Sequence, residues 1–262
     1  MAMQLQLFSA LLIFSLVTPA IAQIPETIDS PRTTDEVVHQ VCQFLPKQPA
    51  FTVEMDITYD ALLEIDGKVQ YSAYQNIVLQ KPNKLRSDYV GDERVTSFYY
   101  DGQTMTMTAP NKGFYASRPA PVNTDDLVEQ MDEKYGIVIP MSNLLVQDPC
   151  QLINTDVEES IYVGSDLVER EEMDHILLIG EERNIQIWVT QDEQPLLKKA
   201  LITYKDLPDS PQYTVVFSDW NFSPKIDNEQ FTFTPGKDDI KIEFLPIEQF
   251  QNEFQLESPT TP

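Results

Sequence analysis

Histidine and cysteine are scarce in this chain of 262 residues, with two of each, and the 18 basic residues are outnumbered by 42 acidic ones. His39 and His175 stand neither in an H-E-x-x-H run nor beside a cysteine at zinc-ligand spacing, so imidazole-based metal catalysis is not expected. There is no G-x-S-x-G elbow, no P-loop and no G-x-G-x-x-G, and the eight glycines fall mostly where turns are needed. The acidic cluster at 169–172 lacks the alternating order of a calcium loop and reads as a solvated turn. With 42 acids some carboxylate pair will arise by chance, so no glycosidase dyad is read from it. These absences lead to the expectation of a protein that is not an enzyme, with no catalytic residues, no cofactor and no metal. A net charge of -24 is repelled by phosphate backbones and anionic head groups, which excludes a nucleic-acid role. It does suit a soluble surface, or a basic protein partner.

Long apolar runs are also missing. The stretch from Leu7 to Val17 is too short to span a bilayer comfortably. Followed by the small-x-small pattern of Ala20-Ile21-Ala22, it reads as a signal peptide cleaved after Ala22, although Met1 to Gln6 lack the usual basic residues. No cysteine follows the cleavage point, so the mature chain is expected to be soluble, without a lipid anchor or a stable membrane span. The expected organisation is a signal peptide at 1–22, a polar lead-in at 23–33, one β-rich domain at 34–246 and a tail at 247–262. A monomer is expected.

What the mature chain does contain is alternation. After a helix with N-cap candidates Thr33, Thr34 and Asp35, apolar positions Val37, Val38, Val41, Phe44 and Leu45, and a stop at Pro46, the period changes from helical to two. Phe51, Val53, Met55, Ile57 and Tyr59 alternate with polar residues, and Val69, Tyr71, Ala73, Ile77 and Leu79 continue after an Asp66-Gly67 turn, as a hairpin with a long connection. Strands are expected over 84–90, 94–100, 103–108 and 114–117, with Asp101-Gly102 as a type I′ hairpin signal. Thr124, Asp125 and Asp126 open a second helix carrying Leu127, Met131 and Tyr135 and closed by Gly136. A short helix over 140–146 follows, and then about five more strands. Helix, six strands, helices, five strands, with no βαβ alternation, is an α+β chain built on a curved antiparallel sheet of about eleven strands.

Such a sheet must cover its apolar face, and the mid-chain helical segment is too small to do so tightly. Either the sheet closes on itself or a hollow remains, a natural place for an apolar ligand. The faces with the cleanest alternation supply the candidate lining: Phe51, Val53, Met55 and Ile57, then Tyr71, Met105, Met107, Ile185 and Ile187. Solid core is the competing role for all of them. Cys42 and Cys150 could close a long loop as a disulfide or remain two buried thiols.

The segments FYYDGQTMT at 98–106, EKYGI at 133–137, YVG at 162–164, DHILL at 174–178, QIWV at 186–189, LITYKDLPDSPQYT at 201–214, FTFTP at 231–235 and IEFLP at 242–246 resemble the DUF2092 family of predicted periplasmic proteins. The likeness runs in order over most of the mature chain. It departs at Met173, where a cysteine would be expected, and at Cys150, which stands where an aromatic would be. The resemblance implies a periplasmic location and the fold of the LolA and LolB lipoprotein carriers, an incomplete antiparallel barrel with a helical lid over an apolar cavity. It implies no catalytic residue. The function expected is an exported binding protein for a lipid acyl chain or a lipoprotein anchor. The alternative is an envelope sensor or adaptor that holds a basic envelope protein through the same fold.

Overall fold

Residues 32–63, 67–137, 139–150 and 157–247 are described by a computed structural model; the expected signal peptide, most of the lead-in and nearly all of the tail lie outside them. Thr33 caps helix α1 (Thr34–Phe44). Its side chain accepts from the Glu36 amide, and the Glu36 carboxylate accepts from the Thr33 amide, so two otherwise unpaired helix-end donors are satisfied. Leu45–Lys47 tightens into a 3-10 turn around Pro46 and ends the helix.

Strands β1 (Ala50–Leu63) and β2 (Gly67–Gln80) realise the period-two pattern. Phe51, Val53, Met55 and Ile57 are buried on one face. The two strands pair without interruption from Ala50 opposite Gln80 to Leu63 opposite Gly67, so the connection is short rather than long. The reason is that Ala61, Leu62 and Leu63 break the alternation while remaining paired: the hairpin end runs past the core, and Leu62 and Leu63 are exposed.

Strands β3 (Lys84–Gly91), β4 (Val95–Tyr100), β5 (Thr104–Ala109) and β6 (Phe114–Pro119) follow. The turn between β4 and β5 differs from the expected one. Its two central residues are Gly102 and Gln103, Asp101 N donates to the Thr104 carbonyl, and only Gly102, at φ 88°, is left-handed. A type I′ turn needs two such residues, whereas glycine at the first central position is the type II′ requirement. Asp101 instead uses its side chain to accept from the Gln103 and Thr104 amides.

Helix α2 (Thr124–Glu133) starts at Thr124 as expected, with Asn123 as the cap. Gly136, at φ 64°, then reverses the chain where a Cβ would be strained. The short helix that follows is a 3-10 turn at Ser142–Leu144. Strands β7 (Glu159–Val168), β8 (Glu171–Ile179), β9 (Arg183–Thr190), β10 (Leu197–Tyr204) and β11 (Gln212–Asn221) complete the main set. β12 (Ile240–Lys241) adds a two-residue strand that the alternation does not reveal.

Among the described residues the strands form one sheet in the order β12-β6-β5-β4-β3-β2-β1-β11-β10-β9-β8-β7. Every pairing is antiparallel except β12 with β6. The sheet is open and curved, with β12 and β7 as edges, which is the incomplete barrel expected. Both helices contribute to the main core. The chain after β11 also covers part of the convex face. Arg86 Nη1 donates to the Gln230 carbonyl, and the Phe233 ring lies 5.4 Å from that of Tyr99 and 5.2 Å from that of Tyr115. Thr106 and Thr108, the polar positions of β5, are consequently buried, and Thr106 is hydrogen-bonded to Ser117. The segment then rounds the β6 edge and stacks Phe244 on Tyr135, at 4.4 Å, behind α2. No helix among the described residues is long and apolar enough to cross a membrane.

Candidate functional site: a roofed apolar cleft

A cleft of about 310 Å³ lies between β1–β5 and the chain that crosses above them. Its floor is made by Met55 of β1, Ile77 of β2, Leu85 of β3, Phe98 of β4 and Met107 of β5. These residues share a face because the strand registers align them: Ile77 is paired with Val53, Leu79 with Leu85, and Phe98 with Met107. The roof is Met131 of α2 and the irregular run after Gly136, including Ile137, Ile139, Met141, Leu144 and Leu145. Met141 sits at φ 61°, a conformation that costs a residue with a Cβ about 1 kcal/mol.

One end is polar. Tyr59, Tyr89, Tyr213 and Arg94 line it, and the Arg94 guanidinium carbon lies 5.0 Å from the centre of the Tyr89 ring. The Tyr59 hydroxyl donates to Glu93. Burial foremost, then the hydrogen bond to Glu93, raises its ionisation well above the ordinary tyrosine range. Burial does the same to Tyr213. Both phenols therefore remain neutral donors at physiological pH.

The expected lining residues separate into groups. Met55 and Met107 line the cleft. Phe51, Val53, Ile57, Met105 and Ile187 lie in the main core; Phe51 packs against Trp220, with ring centres 5.4 Å apart. Ile185 is half-buried against that core. Tyr71 lies just beyond the polar end, its ring 5.8 Å from that of Tyr59. A lid built from the second helix and the short helix after it was expected, but its residues, the tyrosines at 59, 89 and 213 and Arg94 were not named as lining. Their one signal in the sequence is the apolar run at 137–141, which has neither helical nor strand period.

Cys42 of α1 and Cys150, just beyond the roof, are joined by a disulfide with Cα atoms 5.7 Å apart. The bond ties α1 to the segment that covers the cleft. At the other end of α1, Arg32 forms an ion pair with Asp174, which is fully buried and also accepts from Tyr162, at 2.9 Å, and Gln191, at 3.1 Å. His175 points to the opposite face, between Asp166 at 2.7 Å and Gln186 at 3.0 Å, and stacks on Trp188. His39 is bonded to Gln43 on the exposed side of α1. No group of three or more metal-ligating side chains occurs among the described residues.

An open sheet, curved over a mainly apolar cleft and roofed by helical segments, is the incomplete barrel with a lid that the sequence resemblance implies. The chain belongs to the DUF2092 family of predicted periplasmic proteins, whose profile matches residues 34–245. That description agrees with the expected location. No curated protein matches the sequence. Among solved structures, a LolA superfamily protein of Nitrosomonas europaea is 12% identical, with 77% of this chain and 98% of that one covered and a TM-score of 0.35. LprF of Mycobacterium bovis is 12% identical over 74% and 95%, with a TM-score of 0.43. The lipoprotein LppX of Mycobacterium tuberculosis is 12% identical over 73% and 96%, with a TM-score of 0.39. Likeness at this level says nothing of a ligand.

Proposed function

We propose that this is an exported, monomeric, non-catalytic binding protein that shelters a single acyl chain, after removal of a signal peptide at Ala22. The observation that carries the reading is the cleft itself: about 310 Å³ with a floor and roof built of Met, Ile, Leu and Phe side chains. A water molecule occupies about 30 Å³ of liquid, and a methylene is of similar size, so the cleft is filled by roughly ten methylenes. That suits one medium chain and is small for a multiply acylated anchor. At about 0.8 kcal/mol per methylene, ten would gain roughly 8 kcal/mol gross from water, less the ordering costs of binding. A chain arriving from a membrane gains almost none of this, because it leaves one apolar medium for another. Uptake and release are then close to balanced, as a carrier requires.

The four methionines that line the cleft have flexible side chains and fit the same reading, since they adapt to occupants of different shape. Native mass spectrometry of protein purified from the envelope, followed by lipid extraction, tests it. The expected result is a substoichiometric acyl compound lost on extraction. Protein that carries none, and that fails to bind medium-chain probes, contradicts the reading.

A second reading has its own observation. Edge strand β7 exposes Ile161, Val163 and Leu167 beside Glu159, Glu169 and Glu171, a surface suited to a basic protein segment. Capture of such a partner at low salt and its release at high salt would support an adaptor role.

A further inference from the structure

Of the 19 residues that line the cleft, Arg94 alone carries a charge. In a chain with 42 acids and 18 bases a chance selection of charged side chains would favour a carboxylate. We propose that the polar end of the cleft is a head-group site, and that the ligand is a single-chain amphiphile with an anionic head, a carboxylate or a phosphate ester. The inference rests on the acyl-chain reading above and adds the chemistry of the other end of the ligand.

The geometry supports this assignment. Arg94 is held against the Tyr89 ring, so less side-chain freedom is lost when its planar fork takes up an anion. Its neighbour Glu93 is engaged by the Tyr59 hydroxyl, and Asp92 accepts from the Ser72 amide; no ion pair of Arg94 with either is formed among the described residues. Tyr213 lines the same end and, kept protonated by burial, brings a hydrogen-bond donor to the head group, while Tyr59, whose hydroxyl is given to Glu93, adds no negative charge there. With the head at Arg94, the tail would run over Leu85, Phe98 and Met107 beneath the roof. Orientation is thereby fixed by charge at one end and by oil at the other, the usual division of labour in a pocket.

The charge of the protein as a whole favours the reverse selectivity. A net charge of -24 attracts cationic amphiphiles and repels anionic ones. Displacement of the neutral probe N-phenyl-1-naphthylamine from the full mature protein should be measured with decanoate, decyl phosphate, decanol and decyltrimethylammonium. The two anions are expected to bind at least tenfold more tightly than the cation, with decanol between them. Arg94→Gln should remove that preference by weakening the anions much more than decanol, and Arg94→Lys should restore most of it. Equal binding of anion and cation by the wild type, or a preference indifferent to Arg94→Gln, overturns the head-group site and leaves the acyl-chain reading standing. If none of the four displaces the probe, both fall.

Discussion

The two halves of the sheet come from the same kind of sequence and are covered in different ways. On the β7–β11 side, Ile176, Val189, Ala200 and Val215 are almost entirely buried, in a core shared with Val37 of α1. On the β1–β5 side the strands are equally apolar, but what lies above them is one short helix and an aperiodic loop. A helix with a regular apolar stripe seats against a sheet and fills the space; a loop with a left-handed residue at Met141 arches and leaves room. The difference lies in the cover, not in the strands.

Core truncations sharpen that comparison most. Ile176→Ala removes side-chain volume from a filled region and is expected to cost about 3–4 kcal/mol, whereas Met107→Ala, beside existing space, should cost about 1 kcal/mol. Urea unfolding of the two variants checks this, and equal losses would mean that the halves pack alike. Next in size is the staple that joins the covers. Replacing Cys42 and Cys150 by serine opens a loop with a sequence separation of 108, for which a loss of about 2–4 kcal/mol is typical. Release of a bound probe should accelerate at the same time, because the roof loses its tether to α1; an unchanged release rate would detach the disulfide from the roof.

Filling the hollow gives a smaller effect on stability and a clear one on binding. Met107→Trp should lower probe affinity at least tenfold, about 1.4 kcal/mol, while a large side chain at Ile187 in the filled half should destabilise by about 1–3 kcal/mol through overpacking. A Met107→Trp variant that binds as well as the wild type would place the ligand elsewhere.

The weakest effect appears only in alkali. Burial raises Tyr100 to about 12, helped by Asp126 and Asp101. Its ionisation is thus harder in the folded state than in the unfolded chain, where tyrosine titrates near 10. Stability from this group is complete below pH 10 and falls as pH climbs from 10 to 12. Tyr100→Phe should flatten part of that decline while losing the hydrogen bond to the Pro121 carbonyl, and a pH profile identical to wild type would count against it.

Much of the scaffold is legible in the sequence because alternation and caps are local. Phe51 to Tyr59 declare an apolar strand face, and Thr33, Thr34 and Asp35 ahead of a helical apolar stripe declare a helix start. The two-residue strand β12 is not legible, because it is made by a partner remote in sequence: the Ile240 amide donates to the Gly113 carbonyl. Thr106 and Thr108 look solvent-facing for the same reason, since what buries them arrives more than a hundred residues later. In the cleft, Met55 and Met107 follow from alternation. Their difference from Met105, one turn of the pleat away and fully buried, does not, because it depends on the height of the cover. Arg94 looks like the ordinary polar start of a strand until the fold brings it beside Tyr89.

The central claim is a ligand-sized hollow under the roof. Six of the eight methionines provide the direct measurement, since Met55, Met107, Met131 and Met141 line the cleft while Met105 and Met173 are buried outside it. In a titration of methyl-¹³C-methionine protein with decanoate, followed by NMR, the four cleft methyls should shift together and saturate while Met105 and Met173 stay in place. If the four remain still, or all six move alike, the cleft is not where an acyl chain binds.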